Sequence, residues 1–404
     1  MKTRLYYATN RRHRGRDQWR PTGYGPDFSE LDYTDPRSGR RSRRAAAQNL
    51  RFGRVDWELD AARIERYLNA DSGWGAGDGE ALARYLGRPA QRRAAQITAF
   101  EEKLACDRSD REQDQRHFGS RRSFEELRRA MRGGADVLVF VHGFNVSWWE
   151  AVSSALALQL MINRRRRDGD PELLVFLFSW PSDGAAVPWF SYYSDRDDAA
   201  MSGAAVGRAF LRLRDYLFEA WRDDRSARRE HCRRAFHLLC HSMGNYVLEN
   251  ALARTREFSR GGKPPRLFEQ VLLCAPDVDD NAFEEGRGLH RLPQMAEQVT
   301  VYHNRGDAAL QVSDYSKGNR DRLGWRGAST PAQLDGRVHQ VDCSDIVSGV
   351  VEHGYHASGI VADDIAQSLF GLAPDAVGRR RAQLRNGWPN VWRLRADDET
   401  LRQA

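Results

Sequence analysis

Lysine is almost missing from this chain. Of 63 basic residues only Lys2, Lys103, Lys263 and Lys317 are lysine, and the rest are arginine. Cysteine is scarce too: the five thiols, Cys106, Cys232, Cys240, Cys274 and Cys343, are odd in number and irregularly spaced. With no Cys-x-x-Cys pair and no His/Cys cluster, neither a disulfide framework nor a metal site is expected, and reduced thiols point to the cytoplasm. No apolar run approaches the ~20 residues that span a bilayer, and Met1-Lys2-Thr3-Arg4-Leu5-Tyr6-Tyr7 lacks the apolar core of a signal peptide. The arginine-rich stretches carry no interleaved aromatics of the kind that stack bases, so no nucleic-acid partner is expected.

What the chain does have is a core-sized apolar fraction, 41% of 404 residues, and a net charge of +7 in which acidic residues are interspersed, as in Arg222-Asp223-Asp224-Arg225. Most of that charge reads as solvated surface. The basic clusters at 11–16, 41–44 and 164–167 suit weak attraction to an anionic membrane surface. From Asp136 onward, β-rich apolar runs at 137–141, 173–178, 236–240, 271–275, 299–302 and 338–341 alternate with helical patterns, among them 148–165, 246–254 and 360–370. Strands apolar on both faces and separated by helices predict an α/β fold: a mostly parallel sheet covered on both sides, with reactive groups at the carboxyl ends of its strands. Ahead of it, 5–8 and 50–55 read as strands and 61–68 and 81–104 as helices. Ser123-Phe124-Glu125-Glu126 has the spacing of a capping box opening the helix before Asp136. Three parts are expected: strands and a helical insertion of the same sheet at 1–130, the core domain at 131–375, and a basic tail at 376–404.

One run carries chemistry. Phe236-His237-Leu238-Leu239-Cys240 ends abruptly in His241-Ser242-Met243-Gly244-Asn245, and a helical pattern follows at once. A strand that turns sharply into a helix at serine is a nucleophile elbow; it exposes the hydroxyl and sets the next N–H at a helix start, where negative charge is stabilised. Cys240 stands where a strict Gly-x-Ser-x-Gly elbow has its first glycine, and cysteine is small enough for the turn. The competing reading is a serine that merely caps the next helix. It is weakened by what lies downstream, because a serine nucleophile needs a base and an orienting acid, and in this fold they follow in the order acid, then histidine. Asp307, in His303-Asn304-Arg305-Gly306-Asp307 after the 299–302 strand, is the favoured acid. Asp277 and Asp279, after the preceding strand, are its alternates. His353, in Glu352-His353-Gly354-Tyr355-His356, is the favoured base and His356 the second choice, while His339 lies inside a strand and reads as structural.

An oxyanion hole is expected from the N–H groups of Met243 and of Phe144, the latter in His142-Gly143-Phe144-Asn145 at the end of the 137–141 strand. Ser179-Trp180-Pro181-Ser182 ends another strand on the same edge, and Trp189, Phe190, Tyr192 and Tyr193 follow. His142, His241, Trp180, Trp189 and Tyr192 are candidates to line a substrate pocket, although any one aromatic here also suits plain helix packing. Asp195 reads as a helix N-cap. No metal or organic cofactor is required by this machinery.

Together these segments resemble a bacterial α/β-hydrolase family long catalogued as a domain of unknown function (number nine hundred). The resemblance rests on Val139-Phe140-Val141-His142-Gly143-Phe144-Asn145, Ser179-Trp180-Pro181-Ser182, Cys240-His241-Ser242-Met243-Gly244-Asn245 and Ala275-Pro276-Asp277-Val278-Asp279. Tyr7-Ala8-Thr9-Asn10-Arg11 and Asn49-Leu50-Arg51-Phe52-Gly53 are similar to its N-terminal segments; 60–130 and the end after about 375 are least covered. What the resemblance implies is an α/β-hydrolase fold and esterase- or lipase-like chemistry, with Ser242 as nucleophile, Asp307 as acid and His353 as base. The expected function is hydrolysis of a small-molecule or lipid carboxylic ester through an acyl-enzyme. The alternatives are a lipase or phospholipase working at a membrane surface, and a binding module of the same fold that performs no chemistry.

Overall fold

The computed structural model describes residues 1–29, 46–101, 119–182, 188–223, 234–258, 264–310, 321–347, 353–384 and 388–396. Cys106, Cys232, the basic cluster 41–44 and the side chains of Trp189, Phe190 and Tyr193 lie outside them. In chain order the strands are β1 (Lys2–Thr9), β2 (Arg11–Arg14), β3 (Gly23–Phe28), β4 (Arg51–Glu58), β5 (Gln96–Ala99), β6 (Ala135–Val141), β7 (Glu172–Ser179), β8 (Phe236–His241), β9 (Phe268–Cys274), β10 (Ala296–His303), β11 (Val338–Asp342), β12 (Arg381–Gln383) and β13 (Val391–Leu394). The helices are α1 (Ala61–Asn69), α2 (Gly79–Leu86), α3 (Pro89–Ala94), α4 (Gly119–Arg132), α5 (Trp148–Arg164), α6 (Pro188–Asp223), α7 (Gly244–Phe258), α8 (Leu323–Arg326) and α9 (Gly359–Leu369).

Eleven strands form one sheet in the order β12-β13-β11-β10-β9-β8-β6-β7-β1-β4-β5. Pairing is parallel from β13 through to β1 and antiparallel only at the edges, where β4, β5 and β12 join. Alternate residues of the core strands enter two separate apolar layers. Leu138, Phe140 and Leu239 face α2, α5 and α9, whereas Val137, Val141 and Cys240 face α6 and α7. Burial on both faces is why these strands read as unbroken apolar runs. The chain goes from β6 outward to β7, then returns through α6 to place β8 on the other side of β6. Such a reversal opens a crevice at the carboxyl ends of the two strands. None of the described helices is long and apolar enough to cross a membrane.

Where local signals and structure differ, tertiary contact decides. The stretch 81–104 is not one helix: Gly87 caps α2, Pro89 opens α3, and Ile97 and Thr98 pair with β4 as an edge strand. Proline cannot continue the preceding helix, and the β-branched pair favours the sheet. Ser123 does not open α4, which starts a turn earlier at Gly119, packed against Phe100 and Phe52. A capping box instead opens α5, where Ser147 and Glu150 each accept the other's N–H.

The stretch from 376, read from the sequence as a basic tail, supplies β12 and β13 to the sheet. Two of its arginines are buried: Arg381 donates to Asp364 Oδ2 at 2.7 Å and Arg379 to Asp364 Oδ1 at 2.9 Å, and the Tyr302 hydroxyl donates to the same carboxylate at 2.8 Å. Burial works against the Asp364 charge, but the two guanidinium groups outweigh it and hold the group at about 2, below its ordinary 3.8. A carboxylate held down in the folded state stabilises above its unfolded value, so this contribution is present at neutral pH and fades as pH falls from about 4 through 2. Asp364→Asn leaves two buried cations without their counter-charge. It is expected to cost about 3–5 kcal/mol of stability at pH 7, read as a lower urea midpoint, and much less near pH 2.

Candidate active site

The crevice lies at the carboxyl ends of β6 and β8. Cys240 of β8 lies beside Val141 of β6 in register, so the turns that follow, Ser242 after β8 and His142–Phe144 after β6, are neighbours. Ser242 has φ 53, left-handed backbone that residues other than glycine seldom adopt. The strained turn is held from all sides. Ser242 N–H donates to the Cys274 carbonyl at 2.9 Å, and the Asn245 amide donates to the carbonyls of Ser242 at 2.9 Å and Cys240 at 3.1 Å. Two glycines permit the close approach. A Cβ on Gly143 would stand 2.7 Å from Ser242 Cβ, and one on Gly244 2.5 Å from the Val141 carbonyl oxygen. Cys240, fully buried on the α7 side, needs no such clearance, which is why the first elbow glycine is dispensable.

Asp307 and His353 come together across 46 residues: His353 Nδ1 donates to Asp307 Oδ2 at 2.7 Å. The other carboxylate oxygen, Oδ1, accepts from the N–H groups of Ala309 and Leu310, and the side chain is only 1% exposed. Burial, the largest influence on His353, pulls its pKa down; the charge and hydrogen bond of Asp307, helped by Asp277 and Glu80, carry it above the ordinary 6.5. Asp277 and Asp279 are engaged elsewhere. Arg322 Nε lies 3.3 Å from Asp277 Oδ1, Arg322 Nη1 donates to Asp279 at 2.6 Å, and the Tyr192 hydroxyl donates to Asp277 Oδ2 at 2.8 Å. His356 hydrogen-bonds to no described residue and is pushed down to about 3 by burial and by His353. Ser242 Oγ likewise makes no hydrogen bond with a described residue, His353 included. In serine hydrolases free of substrate the corresponding contact is often long and tightens when substrate binds.

The loop after β6 is braced by residues that the local sequence does not connect. Arg11 donates to the carbonyls of Val146 and Ser182 and to Ser179 Oγ. Asp195 is not a helix cap; it lies within α6, where its carboxylate accepts from Ser182 Oγ at 2.7 Å and from the Asn145 N–H at 3.3 Å. With Asn145 and Val146 N–H groups so occupied, those of Phe144 and Met243 are left without a partner among the described residues. His142 is buried and stacks on Trp180, whose main-chain N–H donates to His142 Nε2 and whose indole donates to the His142 carbonyl. Nε2 is therefore the acceptor, and burial together with Arg11 keeps the ring neutral, with a pKa of about 3.

Of the pocket candidates, His142 and His241 line a cavity of about 410 Å³, together with Phe140, Gly143, Gly354 and His356. Trp180 is fully buried against His142, and Tyr192 packs edge-on to Phe144 at 5.5 Å between ring centres. The rings of His241, His353 and His356 cluster, His241 lying 4.8 Å from His353 and 4.4 Å from His356. No group of three acidic, cysteine or histidine residues among the described residues is arranged to hold a metal ion. Asn245 and Arg11 escaped sequence reasoning as site residues. Their only signal was position, one residue past the elbow glycine and at the end of the first strand's motif.

No curated protein matches the chain. Residues 121–362, however, match the family described as alpha/beta hydrolase of unknown function (DUF900). That span opens in α4 and ends in α9, enclosing β6 to β11 and every site residue from His142 to His356. Parallel sheet, elbow and match agree, and the chain belongs to the alpha/beta hydrolases of unknown function (DUF900).

Proposed function

We propose that the chain is a serine hydrolase that cleaves carboxylic esters through an acyl-enzyme, with Ser242 as nucleophile, His353 as base and Asp307 as orienting acid. The observation that carries the reading is the 2.7 Å bond from His353 Nδ1 to a carboxylate sealed from solvent. An ionised carboxylate only accepts, so Nδ1 bears the proton and Nε2 is left with the lone pair a base needs. His353 Nε2 takes the Ser242 proton as Oγ attacks the ester carbonyl. The negative charge that develops on the carbonyl oxygen falls to the N–H groups of Phe144 and Met243, which have no partner among the described residues. Collapse of the tetrahedral intermediate breaks the ester C–O bond, and His353 returns the proton to the departing alcohol. Water then attacks the acyl-enzyme with His353 again as base, releasing the acid and restoring Ser242.

A fluorophosphonate probe tests the reading directly. The native protein is expected to take up one probe, on the peptide carrying Ser242, and heat-denatured protein none. Absence of labelling, or labelling confined to another serine, refutes the assignment.

A further inference from the structure

We propose that the 410 Å³ cavity beside the elbow binds a hydroxyl group of the substrate at the ring edges of His241 and His356, bridging one nitrogen of each, so that the preferred esters are hydroxylated ones. This rests on the esterase reading and adds its substrate class. The cavity is lined by chain neighbours of the proposed reacting residues. Each segment that carries the proposed chemistry lends a neighbour to its wall: Gly143 precedes Phe144, His241 precedes Ser242, and Gly354 follows His353.

The chemistry follows from two ring nitrogens. His241 Nε2 lies 2.9 Å from the carbonyl oxygen of His353 and must carry the proton to bond it, which leaves Nδ1 a bare acceptor. That Nδ1 has no partner among the described residues, yet it is not sealed from solvent. On His356 the sealed and unpartnered nitrogen is Nδ1. A buried bare lone pair is tolerated more readily than a buried orphan N–H, so the proton resides on Nε2. This Nε2 has no partner among the described residues and is not sealed, and His356 lines the cavity. Burial holds both imidazoles neutral. Acceptor and donor are therefore carried by two neighbouring rings whose centres lie 4.4 Å apart. A hydroxyl donates to one and accepts from the other at once; a carbonyl or an ammonium satisfies only one of them. Phe140 packs against His356 at 5.9 Å, and Ala83 of α2 lines the cavity from the outer side. Helix α2 lies outside the span that matches the family.

The hydroxyl can belong to either side of the ester, and two substrate pairs separate the cases. p-Nitrophenyl 3-hydroxybutyrate against p-nitrophenyl butyrate places it on the acyl part, and glyceryl monobutyrate against propyl butyrate on the alcohol. In one pair the hydroxylated ester is expected to win by about 10- to 100-fold in kcat/KM, the discrimination of a site that otherwise leaves polar groups unpaired. His356→Phe should bring that ratio close to one. Ala83→Leu, which adds bulk to the cavity wall from α2 and keeps both histidines, should do the same if the histidine variant folds poorly. Wild-type protein that cleaves both members of each pair alike overturns the hydroxyl assignment and leaves the esterase reading standing. A preference that survives both substitutions overturns it as well. Failure to cleave any of the four esters, with no fluorophosphonate label, sinks the esterase reading itself.

Discussion

Ser242→Ala is expected to lower kcat/KM for p-nitrophenyl butyrate by about 10⁵- to 10⁶-fold, since removing the nucleophile disables base and acid along with it. What remains is the smaller acceleration from oxyanion donors acting on a direct attack by water. Stability should hardly change. Ser242 Oγ bonds to no described residue, and alanine meets the same left-handed backbone as serine, so nothing that holds the elbow is lost. The turn is fixed instead by its main chain and by the Asn245 amide. A melting temperature within a degree or two of the parent, together with loss of turnover, identifies a chemical role. Retained turnover would place the chemistry elsewhere and refute Ser242 as the nucleophile.

The parallel core was legible because its information is local. A run such as Leu238-Leu239-Cys240 is apolar on both faces only if helices cover both, and a serine at the end of such a run has few other meanings. The choice among acids was not local. Asp277, Asp279 and Asp307 all close turns after strands, and what separates them is Arg322, which occupies the first two from a position more than forty residues away. The same holds for the two histidines. His353 and His356 share one short segment, and only the contact with Asp307 distinguishes them. Charge patterns hid more than they showed. Arg379 and Arg381 look like a basic tail until Asp364, fifteen and seventeen residues earlier, is seen between them. Asp195 and Arg11 belong to one brace of the loop after β6 although 184 residues part them, a link that no periodicity in the chain encodes.

Asp307→Asn is the second large effect, and it separates orientation from proton affinity. Asparagine keeps the size of the side chain but presents an amide that can donate to Nδ1, moving the imidazole proton to Nε2, where it prevents that nitrogen from taking the Ser242 proton. The expected fall in kcat is about 10⁴-fold. The pH profile gives a second readout with a definite sign. In the parent protein, burial lowers the His353 pKa, and Asp307 together with Asp277 and Glu80 more than restores it, so the value lies above 6.5. His353 must be neutral to take a proton, and kcat/KM should therefore rise with pH through an inflection above 6.5. Without the Asp307 charge the burial remains, and the inflection of the residual activity should move to lower pH. Asp277→Asn provides the contrast. That carboxylate contributes less to His353 and is already paired with Arg322, so it should shift the inflection less and leave the imidazole tautomer alone. Equal shifts in the two variants, or an Asp307→Asn enzyme with an unmoved inflection and near-normal kcat, would remove Asp307 from the triad.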